Sequence, residues 1–358
     1  MKEIRVLYYM QPWAIHGGDG NVAHYLTEAL IKKIHLTRFP NFSSPTNLMK
    51  IYNKFLTREF NIVHFNTAPS IIYYYFTTRW VDGNYLLLKY AKNMGSKTIL
   101  NIHGITLLEN ETGNQERFVA GRTRVVANAS KKVDRIIINA QHMRSKVISC
   151  YGVDDDKITV IPNGVNLDMF KKQNYGISLS GNPAILFVGH LCWVKGIDVL
   201  LDALGRLKNS LPNAKVHLVG VDLENTRLMV KQKCLENQVV FHGGVPHSRI
   251  PDYYKSATLC VLPSRHEGFP ITMLEAMASG TPFISSDIAS FQEILINEEN
   301  ALIFKSEDAI SLSTAILRLC TDSTLRRKII QGAYNTVLNY SWDRIAEKYI
   351  SLYQDLCE

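Results

Sequence analysis

The sequence contains no apolar run approaching the roughly 20 residues that a membrane-spanning helix needs. Its 6 cysteines, at 150, 192, 234, 260, 320 and 357, include no CxxC pair. No charged and apolar leader precedes the first strand-like stretch at 3–9, so no secretory signal is expected. These absences argue against a membrane-spanning protein, a zinc site and a disulfide framework. They predict a cytoplasmic protein with reduced thiols.

Low-complexity segments, short tandem repeats and nucleic-acid-binding motifs are also absent from the sequence. No nucleic-acid partner is therefore expected. The composition is that of an ordinary globular protein, with 46% hydrophobic and 20% charged residues in a chain of 358. Because a single hydrophobic core stops growing near about 250–300 residues, this length predicts two domains.

Basic charge is plentiful but unevenly distributed. The net charge is +8, and the segment from Arg117 to Lys146 holds eight basic residues and one acid. If 117–132 is helical, Arg117, Arg124 and Lys131 recur every seven residues on one face. Two interpretations stay open: a solvated basic face on a core-packed helix, or a surface that docks on an anionic membrane.

Apolar strand patterns alternate with helical patterns along the whole chain. Strands are predicted at 3–9, 61–66, 98–103, 134–139, 158–161, 184–189, 214–220, 239–242, 259–262 and 282–286. Helices are predicted at 22–33, 84–94, 196–211, 223–236, 307–321 and 343–357. This alternation predicts an α/β fold with parallel sheets covered on both faces.

The most informative run is PSRHEGFPITMLEAMASG, which extends from Pro263 to Gly280 after the predicted strand at 259–262. Seven residues separate Glu267 from Glu275. A helix is expected to begin near Pro270, which places Glu267 in a strand-to-helix turn. There it lies beside free backbone N–H groups at the positive end of the helix dipole.

Glu275 falls on the apolar face of this helix, together with Ile271, Leu274 and Ala278. Because burial of an unpaired carboxylate is costly, Glu275 needs a partner. A nucleotide ribose, with two hydroxyl donors, is one such partner. The structural alternative is a buried Glu275 bonded to backbone groups and a Glu267 that lies in solvent.

This run closely resembles the E-x7-E signature of the retaining, nucleotide-sugar-dependent glycosyltransferases of family GT4, in the context EGFP…EAMASGTP. The resemblance extends over nearly the whole chain. It implies a GT-B fold, in which two Rossmann-like domains face each other across a cleft and the last helix crosses back to the first domain. The polar, turn-rich segment 171–183 is the predicted boundary. The implied domains are 1–172 with 341–358 on the acceptor side, and 173–340 on the nucleotide-sugar side.

The resemblance implies roles for two features of the first domain. The loop at Gly17 and Gly18 would close over the diphosphate and sugar of the donor, and a tight turn is the alternative. His103, at the carboxyl end of a predicted strand, would lie close to the transferred sugar. A structural hydrogen bond is the alternative for His103.

The second domain opens with Gly189, His190 and Lys195, which correspond to the family pattern G-R-L-x-x-x-K-G. In that pattern the arginine and the lysine hold the diphosphate. His190 replaces the arginine, which is always charged and binds phosphate with two parallel donors. Either the diphosphate keeps His190 protonated, or Lys195 supplies most of the positive charge.

Gly243 and Val245 resemble the place where family members bind the nucleotide base, mainly through the backbone, so the sequence does not name the base. The implied catalytic residues are His103, Lys195 and Glu267. The implied donor-binding residues are Gly17, Gly18, Gly189, His190, Lys195, Gly243, Val245, Glu267, Gly268, Phe269, Pro270, Ile271 and Glu275.

The resemblance thus implies a retaining hexosyltransferase that uses a nucleoside-diphosphate sugar and a hydroxyl acceptor, either a glycan or a lipid-linked saccharide. A role in polysaccharide biosynthesis at the inner face of the membrane would follow. No cofactor or metal is expected, and the acidic run Asp154 to Asp156 is interpreted as a polar turn. Two alternatives remain: a GT-B sugar-nucleotide epimerase or hydrolase, and a non-catalytic sugar-nucleotide-binding protein.

Overall fold

A computed structural model of the protein describes residues 3–9, 18–39, 53, 59–66, 83–104, 124, 126–171 and 176–358. Within these residues the chain forms two parallel sheets whose strands are connected by helices, which confirms the predicted α/β class. The first sheet contains β1 (Arg5–Tyr9), β2 (His35–Phe39), β3 (Ile62–Phe65), β4 (Lys97–Ile102), β5 (Arg135–Ile138) and β6 (Ile158–Val160). The second contains β7 (Ala184–Val188), β8 (Lys215–Val219), β9 (Val239–Gly243), β10 (Leu259–Leu262), β11 (Phe283–Ser286) and β12 (Leu302–Phe304).

Helices follow most of the strands. The described ones are α1 (Gly18–Ile31), α2 (Gly83–Asn93), α3 (Met143–Tyr151), α4 (Leu167–Lys171), α5 (Ile197–Leu207), α6 (Thr226–Gln232), α7 (Ile250–Ser256), α8 (Ile271–Ser279), α9 (Ala289–Gln292), α10 (Ala309–Thr321), α11 (Ser323–Val337) and α12 (Trp342–Cys357). No helix of the described part of the chain is both long and apolar enough to span a bilayer.

Each sheet is wound in both directions from its first strand. The order is β2-β1-β3-β4-β5-β6 in the first sheet and β12-β11-β10-β7-β8-β9 in the second. Parallel pairing places Val6 opposite Ile62 in the first sheet and Ile185 opposite Leu259 in the second. The central strands read as continuous buried apolar runs, such as LCVL in β10, because both faces of a parallel sheet are covered.

The chain divides into two compact units, Met1–Asn163 with Trp342–Glu358, and Gly164–Ser341. The second unit therefore begins before the predicted boundary at 172/173. The physical reason is α4, which packs against α8 and buries Phe170 in the core of the second unit. The last helix starts at Trp342, one residue earlier than the predicted start at 343.

Helix α12 belongs to the first unit, as the GT-B plan requires, although it follows the second unit in sequence. It packs against α1, and Lys33 of the turn after α1 forms a 2.9 Å ion pair with Glu347. Its inner face buries Tyr349 and Tyr353 completely in the first core. The apolar spacing of Ile345, Tyr349, Leu352 and Leu356 predicts this helix from the sequence.

The strands that the sequence analysis did not predict are β2 and β12, and both lie at a sheet edge. Edge strands pair on one side only, so they are shorter or more polar than central ones. The β2 side chains at 35–38 are exposed or half-buried, and β12 has three residues. Helices α3, α4, α7, α9 and α11 were also not predicted.

Candidate functional site

The carboxyl ends of β7 and β10 lie at the switch point of the second sheet, because β7 has β10 on one side and β8 on the other. Open α/β sheets bind ligands at such points. Lys195 ends a short 3-10 segment, Trp193–Lys195, in the turn after β7. Glu267 lies in the turn after β10. The sheet thus brings together two predicted residues that are 72 positions apart.

An ion pair joins these two residues. Lys195 Nζ donates to Glu267 Oε1 at 2.6 Å and to Oε2 at 2.7 Å, and Ser264 Oγ donates to Oε1 at 2.7 Å. Glu267 is 8% exposed, whereas the Lys195 side chain is 26% exposed. Glu267 is therefore a buried, paired carboxylate and not the solvated one of the structural alternative. The ammonium has three N–H donors and reaches the surface, so one donor remains for a ligand.

Arg265 connects the two turns that carry this ion pair. Its guanidinium donates to both oxygens of Asp198, at 2.8 and 2.7 Å, and to the Trp193 carbonyl at 2.6 Å. The same guanidinium stacks over the Trp193 ring at 4.4 Å. Burial alone would raise the pKa of Asp198, but the Arg265 guanidinium holds that pKa below its ordinary value. The backbone of the turn preceding Lys195 is thereby fixed against the turn that carries Glu267.

Two glycines permit the close approach of these turns. Gly196 has φ +68°, and a Cβ there would lie 1.9 Å from the Pro263 carbonyl oxygen. Gly220, after β8, has φ +151°, and its Cβ would lie 1.8 Å from the Gly189 carbonyl oxygen. Both positions exclude any side chain, because the backbone occupies that space.

Glu275 is buried in α8, 5% exposed, as the sequence analysis predicts. Its Oε1 lies 2.7 Å from His247 Nε2, and its Oε2 accepts a 3.1 Å hydrogen bond from the Tyr254 hydroxyl. Burial, and then the nearby carboxylate, raises the pKa of Tyr254, so the phenol remains a donor. Glu275 is thus bonded to side chains, where the structural alternative expected backbone groups. Its contact with a ribose stays a prediction.

The turn after β9 carries His247, the residue that contacts Glu275. Gly243 ends β9, and its carbonyl accepts a 2.8 Å hydrogen bond from Gly220 N–H. Val245 is half-buried in the turn, and His247 opens a 3-10 segment two residues later. Sequence reasoning missed His247, although its position just after the predicted base-binding turn was a usable signal.

The other predicted donor residues lie on the same edge of the second sheet. Gly189 is half-buried immediately after β7, and His190 is exposed. Gly268 and Phe269 are half-buried in the turn after Glu267. Helix α8 begins at Ile271, so Pro270 occupies the position just before the helix.

In the first unit, His103 follows β4, and its Nε2 lies 3.3 Å from Asn66 Oδ1. The structural alternative for His103, a hydrogen bond within the protein, is therefore present, and its contact with a sugar stays a prediction. Gly18 is the first residue of α1. Gly17 lies outside the described residues. Sequence reasoning did not single out Asn66, which directly follows β3.

The remaining charged features belong to the first unit. Asp155 pairs with Arg144 at 2.6 Å, and Asp154 lies 3.4 Å from Lys157. The described residues contain no group of three or more potential metal ligands. Arg124 and Lys131 are exposed. Arg117, the third member of the predicted basic face, lies outside the part of the chain that the structure describes.

Comparison with known families covers both units. A family model described as Glycosyltransferase Family 4 matches residues 14–169, and one described as Glycosyl transferases group 1 matches residues 171–336. The chain belongs to glycosyltransferase family 4. The family and the GT-B fold predicted from the sequence are thus confirmed. Glu267 and Glu275, the two glutamates of the E-x7-E run, are both buried.

Similar sequences include a D-inositol 3-phosphate glycosyltransferase of Acidothermus cellulolyticus, 26% identical over 276 residues, which are 72% of this chain and 60% of that protein. An uncharacterized glycosyltransferase of Methanocaldococcus jannaschii is 31% identical over 235 residues, 62% of this chain and 60% of that protein. The matched part of the GT4 chain thus spans 60% of the length of each relative.

Similar solved structures share the GT-B fold over almost the full chain. Sucrose-phosphate synthase from Thermosynechococcus elongatus has a TM-score of 0.77 at 19% identity and covers 99% of both chains. The HepE protein of Anabaena, in complex with UDP and glucose, has a TM-score of 0.77 at 18% identity and covers 99% of this chain and 100% of its own. At these identities the likeness concerns the fold.

Proposed function

We propose that this GT4 protein transfers a hexose from a nucleoside-diphosphate sugar to a hydroxyl acceptor, with retention of anomeric configuration and without a metal ion. The Lys195–Glu267 ion pair at the switch point of the second sheet carries the proposal. Cleavage of a sugar–diphosphate bond needs a cation near the departing diphosphate and oriented acceptors for the sugar hydroxyls. The complexes of HepE with UDP and glucose, and with UDP-glucose, support this assignment by fold-level analogy.

Each member of the site has a distinct part in this proposal. The Lys195 ammonium stabilises the negative charge that develops on the diphosphate as the bond breaks. Glu267, held by Lys195 and Ser264, accepts hydrogen bonds from sugar hydroxyls. Glu275 binds the ribose, and His247 fixes the direction in which that carboxylate points.

Retention without a covalent intermediate requires the acceptor to approach from the side of the departing diphosphate. The bond between the anomeric carbon and the diphosphate oxygen breaks, the acceptor oxygen bonds to that carbon, and its proton passes to the departing phosphate oxygen. The transition state has oxocarbenium character. The protein therefore contributes mainly electrostatic stabilisation and the exclusion of water, because hydrolysis of the donor competes.

A thermal-shift panel of UDP-, GDP- and ADP-sugars tests the donor class, because a ligand that binds the native state raises the melting temperature. The variant Lys195→Met is expected to bind the selected donor about 10- to 100-fold more weakly, from the loss of a charged hydrogen bond. Lys305→Met, at an exposed position of the same unit, is the control. Equal donor affinity in wild type and Lys195→Met would reject the role of this lysine.

Product analysis separates the proposal from its rivals. The enzyme is expected to turn over the donor only slowly until a glycan or lipid-linked saccharide is added, and the new bond should keep the donor's anomeric configuration by proton NMR. Rapid donor turnover without acceptor would instead indicate an epimerase or a hydrolase. Donor binding with no turnover under any condition would indicate a non-catalytic binding protein.

A peripheral location at an anionic membrane surface is part of the same proposal, because Arg124 and Lys131 are exposed. Flotation with phosphatidylglycerol vesicles should recover the protein, and phosphatidylcholine vesicles should not. Arg124→Glu with Lys131→Glu should abolish recovery. The matched pair Arg327→Glu with Lys328→Glu, exposed in the other unit, should leave it unchanged. Equal recovery by both vesicle types would reject membrane docking.

A further inference from the structure

Three side chains meet at the carboxyl edge of the first sheet, where β1, β3 and β4 are adjacent. Tyr8 lies near the end of β1, Asn66 directly follows β3, and His103 directly follows β4. Tyr8 and Asn66 are fully buried, whereas His103 is half-buried. The backbone of Asn66 is fixed as well, because its N–H donates to the Tyr9 carbonyl at 3.0 Å.

The Asn66 side-chain oxygen joins the other two residues. Asn66 Oδ1 accepts a hydrogen bond from the Tyr8 hydroxyl and lies 3.3 Å from His103 Nε2. An amide oxygen can only accept, so His103 Nε2 carries the hydrogen in this contact. Neutral His103 then has a bare Nδ1, which is a hydrogen-bond acceptor. Burial raises the pKa of Tyr8, so its hydroxyl remains a donor to Asn66.

Two polar atoms of this pair have no hydrogen-bond partner among the described residues. They are His103 Nδ1 and Asn66 Nδ2, and both atoms are buried. His103 Nδ1 is an acceptor and Asn66 Nδ2 is a donor. A hydroxyl group could satisfy both atoms, because it can donate one hydrogen bond and accept another. Buried polar atoms without a partner are costly, so such a pair at a sheet's carboxyl edge indicates a place for a polar ligand.

We propose that Asn66 is a positioning residue that holds His103 in its Nε2–H form, so that Nδ1 presents a lone pair to a hydroxyl of the transferred sugar. The free N–H of the Asn66 amide adds a donor for the same hydroxylated ligand. The assignment of the ligand as a sugar rests on the proposed function. The hydrogen bond between Asn66 and His103, and its effect on the imidazole, are independent of that function.

The ring N–H of His103 provides the direct test by nitrogen-15 NMR on the full chain without ligand. A hydrogen bond to Asn66 slows proton exchange with water, so a His103 ring N–H signal on Nε2 is expected near neutral pH at low temperature. The variant His103→Gln identifies the signal by its disappearance. Asn66→Ala should remove the signal, and Asn66→Asp, which keeps an acceptor oxygen, should retain it.

His64 supplies the internal control for folding. Its Nε2 lies 3.0 Å from Asn101 Oδ1 in the same buried region, so its ring N–H signal should persist in every Asn66 variant. If the His103 signal is absent in wild type, is located on Nδ1, or survives in Asn66→Ala while the His64 signal is present, the proposal is overturned. Loss of both signals in Asn66→Ala would mean misfolding, and the decision then rests on the wild-type signal and on Asn66→Asp.

A double-mutant cycle tests whether Asn66 acts through His103 in turnover. Asn66→Ala is expected to lower kcat about 10-fold, the equivalent of one hydrogen bond, with little change in the donor KM. In a His103→Gln background the same change should have no further effect on kcat, because its target is already absent. Additive losses would reject action through His103. If no donor is turned over at all, the proposed function fails while the NMR result on Asn66 stands.

Discussion

The buried imidazole of His64 should make the stability of the first unit depend on pH. His64 lies in the core with Nδ1 2.6 Å from the Tyr353 hydroxyl and Nε2 3.0 Å from Asn101 Oδ1. Burial lowers the pKa of His64 from 6.5 to about 3, with a smaller contribution from nearby His103. The hydrogen bond from Nε2–H to Asn101 leaves Nδ1 to accept from Tyr353, which anchors α12 to the sheet.

The sign follows from the two protonation states. Between pH 6.5 and about 3 the unfolded chain binds a proton at His64 that the folded chain does not bind. The free energy of unfolding therefore falls as the pH is lowered through 6.5, by at most about 1.4 kcal/mol per pH unit from this residue. Between pH 7 and pH 4.5 the loss amounts to about 2.5 kcal/mol.

The perturbation is His64→Gln, which removes the titrating group and keeps an amide donor and acceptor for Asn101 and Tyr353. Urea unfolding is measured between pH 7 and 4.5, with hydrogen exchange of β3, β4 and α12 reporting on the first unit. The variant should gain about 2.5 kcal/mol relative to wild type over this range. His35→Gln, at an exposed position of the same unit, controls for the loss of an imidazole. Parallel pH profiles for wild type and His64→Gln would refute the reasoning.

Four further outcomes are expected. Glu275→Ala should weaken donor binding. It should also lower the free energy of unfolding by about 1–3 kcal/mol, because Tyr254 loses its hydrogen-bond acceptor. Glu275→Gln keeps an acceptor, so unchanged nucleotide affinity of this variant by calorimetry would reject the ribose role. Arg265→Lys loses the two-point contact with Asp198, so it should destabilise the second unit by about 1–3 kcal/mol and weaken donor binding; an unchanged melting temperature would contradict this. His190→Arg should stay active and bind the donor more tightly, because a guanidinium is always charged; weaker binding by calorimetry would show that His190 does not face phosphate. Activity should survive EDTA, and loss that Mg²⁺ or Mn²⁺ restores would revive a metal role.

Glu275 has structural partners that the sequence did not reveal. Helical spacing predicted the burial of Glu275, because periodicity depends on residues close in sequence. It did not predict Tyr254 and His247 as partners, since they come from other segments. The carboxylate therefore has a structural role in addition to the donor-binding role proposed for it.

The central strands of both sheets could be predicted from the sequence because they are continuous apolar runs flanked by turn residues. The edge strands β2 and β12 could not, since the β2 side chains at 35–38 are exposed or half-buried and β12 has only three residues, too few for a periodic pattern. Helix α11 was missed although Asp322 caps it by accepting from the Thr324 and Leu325 N–H groups, a local signal that an apolar-periodicity search does not register.

The sequence by itself determined the family, the α/β class and the positions of Lys195, Glu267 and Glu275, because these depend on local spacing and on the turn chemistry around them. Only the tertiary structure decided which side chains meet. Parallel pairing brings Lys195 to Glu267 across 72 positions, and the return of α12 brings Tyr353 to His64 across 289. Hydrogen bonds of this kind depend on strand order and on helix docking, which are properties of the whole fold, so no local pattern in the chain encodes them.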